Sequence, residues 1–420
     1  MLYSVDEANE RVLAVLRASR PHWIDVAIAG ERIPELNQGK TLLHAGPPIE
    51  WARMTGPMQG AVVGAALLEG WANSDEEART QAEQGDIRFI PCHDVHAVGP
   101  MGGITSASMP VIVMKDVVHG NIAYCNLNEG IGKVMRFGAY DDDVLERHRW
   151  MRSTLAPILS EALQRFDQGL DITPIVAQAI TMGDEFHQRN IAASALLLRA
   201  LSPKMISTAF PLDDIREACD FLARTDQFFL NVMMAYCKCV MDAGASVGVG
   251  TIVTAMARNG REFGIRVSGL GNEWFTAPVN VPHGLFFTGY SQEDANPDIG
   301  DSAITETYGV GGSSMVASPG VTRFLGAGGL ADAIRVSEEM HEIYVASNPA
   351  LVIPNWDFQG APLGLDIRKV VETGITPTIN TGIAHREAGV GQVGAGTVKA
   401  PLDCFTKAFL RMAEVLGLEA

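Results

Sequence analysis

The chain has 420 residues, 49 acidic against 32 basic side chains, and a formal net charge of −17, which excludes a broad phosphate-neutralising face and hence general nucleic-acid binding. No apolar run approaches the ~18 residues of a membrane span, the acidic start Met1–Glu10 lacks the basic character of a signal peptide, and six cysteines without CxxC spacing form no disulfide framework, so a cytoplasmic protein with reduced thiols is expected. Charged residues are only 19% against a usual ~25%, which predicts a homodimer, a higher oligomer or a stable complex that covers part of the surface.

Residues 1–140 read as an N-terminal α/β domain. Short apolar runs at 23–29, 40–44 and 87–90 predict strands, and the Ala-rich stretch 59–71 predicts a helix between them. Two further strands, 111–114 and 121–125, flank a turn at His119-Gly120. Residues 141–245 read as a helical domain, with only two glycines, Gly169 and Gly183, between 141 and 240. Leu145, Met151, Leu155, Leu159 and Phe166 share one helical face, with Pro157 predicting a kink or a new first turn. Asp213 is a candidate N-cap of a long helix running through Phe221 and Phe229 towards Met241. Residues 246–420 form a glycine-rich α+β domain, with seventeen glycines between 241 and 330, and helices are predicted at 330–345 and 403–416. The fold class is therefore α+β (mixed α/β), with two α+β domains around a mainly helical one.

Two familiar patterns fail on mechanism. Gly39-Lys40-Thr41 resembles the end of a phosphate-binding loop, but no helix can open at Leu42–Pro48. Gly389-Val-Gly391-Gln-Val-Gly394 has dinucleotide-site spacing, yet follows no apolar strand and is interrupted by Pro401 before a useful helix.

Four polar constellations carry candidate chemistry. In Gly183–Asn190, a carboxylate pair (Asp184, Glu185), His187, Arg189 and Asn190 sit between apolar helices; with Asp184 as cap, they would gather at a helix N-terminus that suits an anion or a carbonyl. His93 and His96 are spaced like weak metal ligands, and Gly102-Gly103 before Thr105 and Ser106 is a candidate cradle of backbone amides. Asn126, Asn128 and Glu129 end a predicted strand, with Lys133 and Arg136 behind them as anion-pairing groups. Asp301 and Glu306 lie in a stretch without positive charge from Ser291 to Ser318, a pattern common on solvated faces or at sites for a basic partner.

Together, Gly56–Ala61, His96–Met101, Asn126–Gly130, Arg136–Tyr140, Gly183–His187 and Gly300–Thr307 resemble the YlbE/YahG/AllG proteins over nearly the whole chain. The resemblance implies two α+β units with a small helical insert. It also implies a subunit of a carbamoyltransferase that works beside FdrA-like and AllH-like partners and converts oxalurate and phosphate to oxamate and carbamoyl phosphate. No metal or cofactor is expected, phosphate or carbamoyl phosphate being the co-substrate. For that reaction His187 would transfer a proton or polarise a carbonyl, oriented by Glu185 or Asp184. Arg136 and Arg189 would hold anionic groups, with Asn190, His96, Asn126, Asn128, Glu129, Asp301 and Glu306 around the substrate and the Gly102-Gly103 amides facing the oxyanion. A non-catalytic scaffold that docks an FdrA-like enzyme, and a stand-alone amide or ureide hydrolase using His93 and His96, are the alternatives.

Overall fold

The computed structural model describes residues 4–326 and 328–418 and has the expected α+β character. The N-terminal sheet is built on strand Pro110–Asp116, with Pro21–Ile28 and Ile122–Asn126 antiparallel to it on either side. Short strands Leu170–Asp171 and Ala97–Val98 complete its two edges. The predicted hairpin turn exists because Asp116 closes it: its carboxylate accepts the Val118 N–H at 2.9 Å, and its carbonyl accepts the N–H of Gly120, whose φ is +83°. A parallel pair, Thr41–His44 with Arg88–Pro91, brackets helices Gly56–Leu68 and Asp75–Glu83. Gly39 therefore leads into a strand, where a phosphate-binding loop would need to open a helix.

In the middle of the chain, Asp142–Trp150 passes through a π turn at Met151–Leu155 into Ala156–Leu163, so the Pro157 prediction materialises as a changed hydrogen-bond register and not as a break. The long helix expected from Asp213 divides instead into Leu212–Arg224 and Phe228–Ala245, and the first begins after Pro211. The second helix is buried nearly all round, including Lys238 and Asn231. A helix without a polar face must be enclosed, and this one packs between the N-terminal sheet, helices Val5–Ala18 and Ile304–Tyr308, and strand Val253–Asn259. Among the described residues no helix is long and apolar enough to cross a membrane.

The C-terminal part holds a four-stranded antiparallel sheet (Phe275–Pro278, Glu262–Val267, Val253–Asn259, Ile299–Gly300) and a three-stranded one (His283–Phe286, Gln392–Lys399, Thr378–Ala384). The glycines 389–394 occupy the hairpin between the last two strands and open no helix. Fully buried Arg258 ties the sheets together: its guanidinium grips Asp298 at 2.7 and 3.1 Å, the Gly300 carbonyl at 2.7 Å and Thr381 at 3.3 Å. This bidentate clamp fixes the entry to helix Ile304–Tyr308, which carries Glu306.

Candidate functional site

Residues Gly183–Asn190 do not extend the following helix, which begins at Ile191; they form a tight loop. Glu185 creates that loop by turning its own carboxylate onto the next backbone amides, those of His187 (3.2 Å), Gln188 (2.5 Å) and Arg189 (2.7 Å). Phe186 takes a φ of +71° and its N–H returns to the Arg189 carbonyl. The imidazole of His187 is thereby delivered to Glu306, with Nδ1 2.8 and 3.0 Å from the two carboxylate oxygens. Its orienting carboxylate is thus Glu306, where Glu185 or Asp184 was expected.

Glu306 is completely buried and its other contacts are all donors: Gly312 N–H at 2.8 Å, Asn380 N–H at 3.2 Å and the Thr305 hydroxyl at 3.0 Å. Only glycine fits at 311, because its φ is +63° and a Cβ there would lie 2.2 Å from Glu306 Oε1. Burial pushes the Glu185 carboxyl above its ordinary range, with Glu306 adding to the rise, while His187, the Arg189 amide and Asn380 pull the other way. The acidic stretch at 301–307 is therefore interior, correcting the expectation of a solvated face.

His187 lines a narrow pocket of about 20 Å³ with Arg136, Gln188, Gln227, Ser302, Gln392 and the apolar groups of Met101, Phe137 and Leu230. With Nδ1 committed to Glu306, Nε2 is the ring nitrogen left for a ligand. Arg136 is buried, and its guanidinium donates to neutral carbonyls, Asn128 Oδ1 at 2.8 Å and Gly130 O at 2.6 Å. Among the described residues no carboxylate pairs with that guanidinium. The nearby Glu129 carboxylate faces the amides of Met135 (2.6 Å) and Arg136 (3.0 Å) instead. Burial would raise Glu129, but His148, Arg136 and the Met135 amide outweigh it and hold it at about 2. Asn231 braces the loop by donating to Asn126 O at 2.7 Å and accepting from Asn128 at 2.8 Å.

Other expected residues serve this frame from a distance. Asp184 does cap the helix Ile191–Ile206, through the Ala193 N–H at 2.7 Å, and Arg189 is spent on Asp184 at 2.6 Å, so Arg189 does not reach the pocket. Burial raises Asp184 to about 6 against the Ala193 and Ala192 amides and Arg189. Asn190 is the N-cap residue, yet its side chain makes no cap bond. The Gly102 and Gly103 amides are already taken by the Arg136 and Pro100 carbonyls, which corrects the expected anion cradle. Asp301 accepts the amides of Gly46 (2.8 Å) and Gly99 (3.0 Å), and its burial carries it up to about 7 against those amides and Arg258. Asp301 and Glu306, as carboxylates facing donors, bind no anion directly. His93 is buried and His96 largely exposed on Asp242; among the described residues no His, Cys, Asp and Glu group could hold a metal ion. Lys133 pairs with Asp141 at the surface.

Sequence reasoning missed Gln392 and Asn380. Gln392 Oε1 is buried without a donor, and Asn380 Nδ2 joins Glu185 at 2.9 Å. Both sit on strands 190 or more residues from Glu185 in the chain, where no local pattern marks them.

A family model described as oxamate carbamoyltransferase subunit AllG matches residues 87–302. The chain is 66% identical over 418 residues, covering all of both chains, to the oxamate carbamoyltransferase subunit AllG of Escherichia coli (strain K12). It is 45% identical to the uncharacterized protein YahG of the same strain, covering 98% of this chain and 86% of that one. A crystal structure of a conserved protein of unknown function from Enterococcus faecalis V583 superposes with a TM-score of 0.95 at 45% identity, covering 98% of each chain.

Proposed function

From the chain's membership of the AllG family, to which it belongs along its full length, we propose that it is a subunit of an oxamate carbamoyltransferase and that the reacting end of the ureide is received at the His187–Arg136 pocket. The observation that carries this is a buried Glu306–His187 pair facing the same small pocket as a guanidinium without a carboxylate partner. A proton-transfer group, a positive charge and the orphan acceptor Gln392 Oε1 match a ureide that has a carboxylate, a carbonyl and N–H donors.

In the direction from oxalurate, a phosphate oxygen attacks the terminal carbamoyl carbon, and the bond from that carbon to the oxamate nitrogen breaks. His187 Nε2 takes the proton that phosphate loses and returns it to the departing nitrogen. Glu306 keeps Nδ1 protonated and stabilises the transient imidazolium, Arg136 pairs with the substrate carboxylate, and Gln392 Oε1 accepts a ureide N–H. The subunit works with FdrA-like and AllH-like partners in the cytoplasm.

The complex, co-expressed with those partners, should form carbamoyl phosphate from oxalurate and phosphate. His187→Ala should cut that turnover by about a thousandfold or more while assembly, followed by gel filtration, is unchanged. Unaltered turnover would remove His187 from the chemistry.

A further inference from the structure

Attack on a carbamoyl carbon drives a pair of electrons onto its oxygen, and a site for that reaction needs a donor where the charge develops. The Gly102 and Gly103 amides cannot serve, since both already donate to carbonyls of the chain. Gln227 and Gln392 line the His187 pocket, but their amide nitrogens donate to the Gln188 and Gly394 carbonyls at 3.2 and 3.1 Å.

Ser302, on the same wall, is placed differently. It lies one turn ahead of Glu306, and its carbonyl accepts the Thr305 N–H at 3.0 Å at the entry to helix Ile304–Tyr308. The Thr305 hydroxyl lies 2.8 Å from that carbonyl and 3.2 Å from His187 Nδ1, so Ser302 enters the pocket beside the Glu306–His187 pair. Ser302 Oγ accepts from Arg258 Nη1 at 3.3 Å, and Arg258 is itself fully buried and gripped by Asp298 through two other nitrogens. Accepting a bond leaves the hydroxyl proton unused, and among the described residues Ser302 Oγ donates to no acceptor. A guanidinium at the oxygen draws electron density from the O–H and makes it a stronger donor. The hydroxyl is therefore fixed and polarised from behind, with its proton free for a group in the pocket.

We propose that Ser302 is a further catalytic residue, whose hydroxyl donates to the carbamoyl oxygen as that oxygen becomes negative, with Arg258 as its positioning residue. This rests on the reading of the His187 pocket as the site of carbamoyl transfer. As the phosphate oxygen bonds to the carbamoyl carbon, the carbonyl π pair moves onto oxygen and meets the Ser302 O–H. As the bond to the oxamate nitrogen breaks, that pair returns to the carbonyl, and the bonding pair leaves with the nitrogen, which takes its proton from His187 Nε2. Ser302 keeps its own proton throughout.

Carbamoyl phosphate formation from oxalurate and phosphate by the assembled complex tests it. Ser302→Ala should lower kcat by about a hundredfold and leave KM for oxalurate within about twofold, because the donor is needed most in the transition state. Its melting temperature should stay close to that of the wild type, since Arg258 keeps Asp298, the Gly300 carbonyl and Thr381. Ser302→Cys preserves the shape with a weak donor and should lose about tenfold or more in kcat, and it carries the test if Ser302→Ala folds poorly. A kcat within threefold of the wild type in the folded variants would overturn the role of Ser302, as would a raised KM at unchanged kcat, which belongs to ground-state binding. Absence of turnover in the wild-type complex, or full turnover in His187→Ala, would instead overturn the reading of the pocket and the role of Ser302 with it.

Discussion

Replacing Glu306 by glutamine isolates the charge at the centre of the site. The carboxylate is held by Gly312 and Asn380 amides on Oε1 and by Thr305 on Oε2, with His187 Nδ1 2.8 and 3.0 Å from the two oxygens. A glutamine placed with its oxygen at Oε1 keeps both amide bonds and still accepts from Nδ1–H. Its new NH2 then meets the Thr305 hydroxyl, which accepts once its own proton turns from the 306 side chain to the Ser302 carbonyl, 2.8 Å away. Shape and most hydrogen bonds survive, and only the negative charge beside the imidazole is lost. Two unit charges ~4 Å apart interact by about 4 kcal/mol at an effective dielectric of ~20, and each ~1.4 kcal/mol is tenfold in rate, so turnover should fall by roughly a thousandfold. Carbamoyl phosphate formation by the assembled complex measures it, with KM for the ureide within about twofold of the wild type because Glu306 touches no substrate. Thermal melting of the variant alone shows whether the fold is retained. A well-folded Glu306→Gln complex with turnover within threefold of the wild type would refute the imidazolium role of His187.

Three further outcomes are expected. Gly311→Ala places a methyl 2.2 Å from Glu306 Oε1 at a φ of +63°, so melting should fall by several degrees together with turnover; retention of both would mean that the 311 backbone can move away. Arg136→Lys loses the fork that spans Asn128 and Gly130 and should raise KM for the ureide by about tenfold or more, whereas an unchanged KM would separate Arg136 from the substrate carboxylate. Asp301, raised to about 7 in the folded chain from an unfolded value near ~4, contributes stability that is complete below about pH 4 and lost as the pH climbs to 7. The urea-midpoint advantage of wild type over Asp301→Asn should therefore shrink between pH 5 and pH 8; a constant difference would show that Asp301 titrates alike in both states.

Local pattern exposed much of the fold and half of the site. Strands such as Pro110–Asp116 and the terminal helix Leu402–Leu416 follow from apolar periodicity and turn chemistry, which act over a few residues. Asp184 to Asn190 stood out because so many costly polar groups between apolar helices need partners. What those partners are depends on tertiary geometry, since Glu306 and Asn380 lie 119 and 195 residues from the groups they contact. The helix expected at 184–190 was lost to a competition invisible in composition: the Glu185 carboxylate takes the amides that a helix start would leave free.

That competition also explains how two glutamates survive in the interior without a single arginine between them. Glu185 and Glu306 are each met by backbone amides, and those amides belong to segments fixed by Phe186 and Gly311 in the left-handed region. Amide donors held by the chain do not reorganise as charge develops on the imidazole, so the field at His187 is set when the backbone folds. Arg258 then matters to the site from behind it, because it donates to the pocket-lining Ser302 hydroxyl at 3.3 Å and its hold on Asp298 and Thr381 keeps the segments that carry Glu306 and Asn380 in register. The buried carboxylates around the site are thus met by donors, and the guanidinium of Arg136 is left with neutral partners at the pocket that also presents His187.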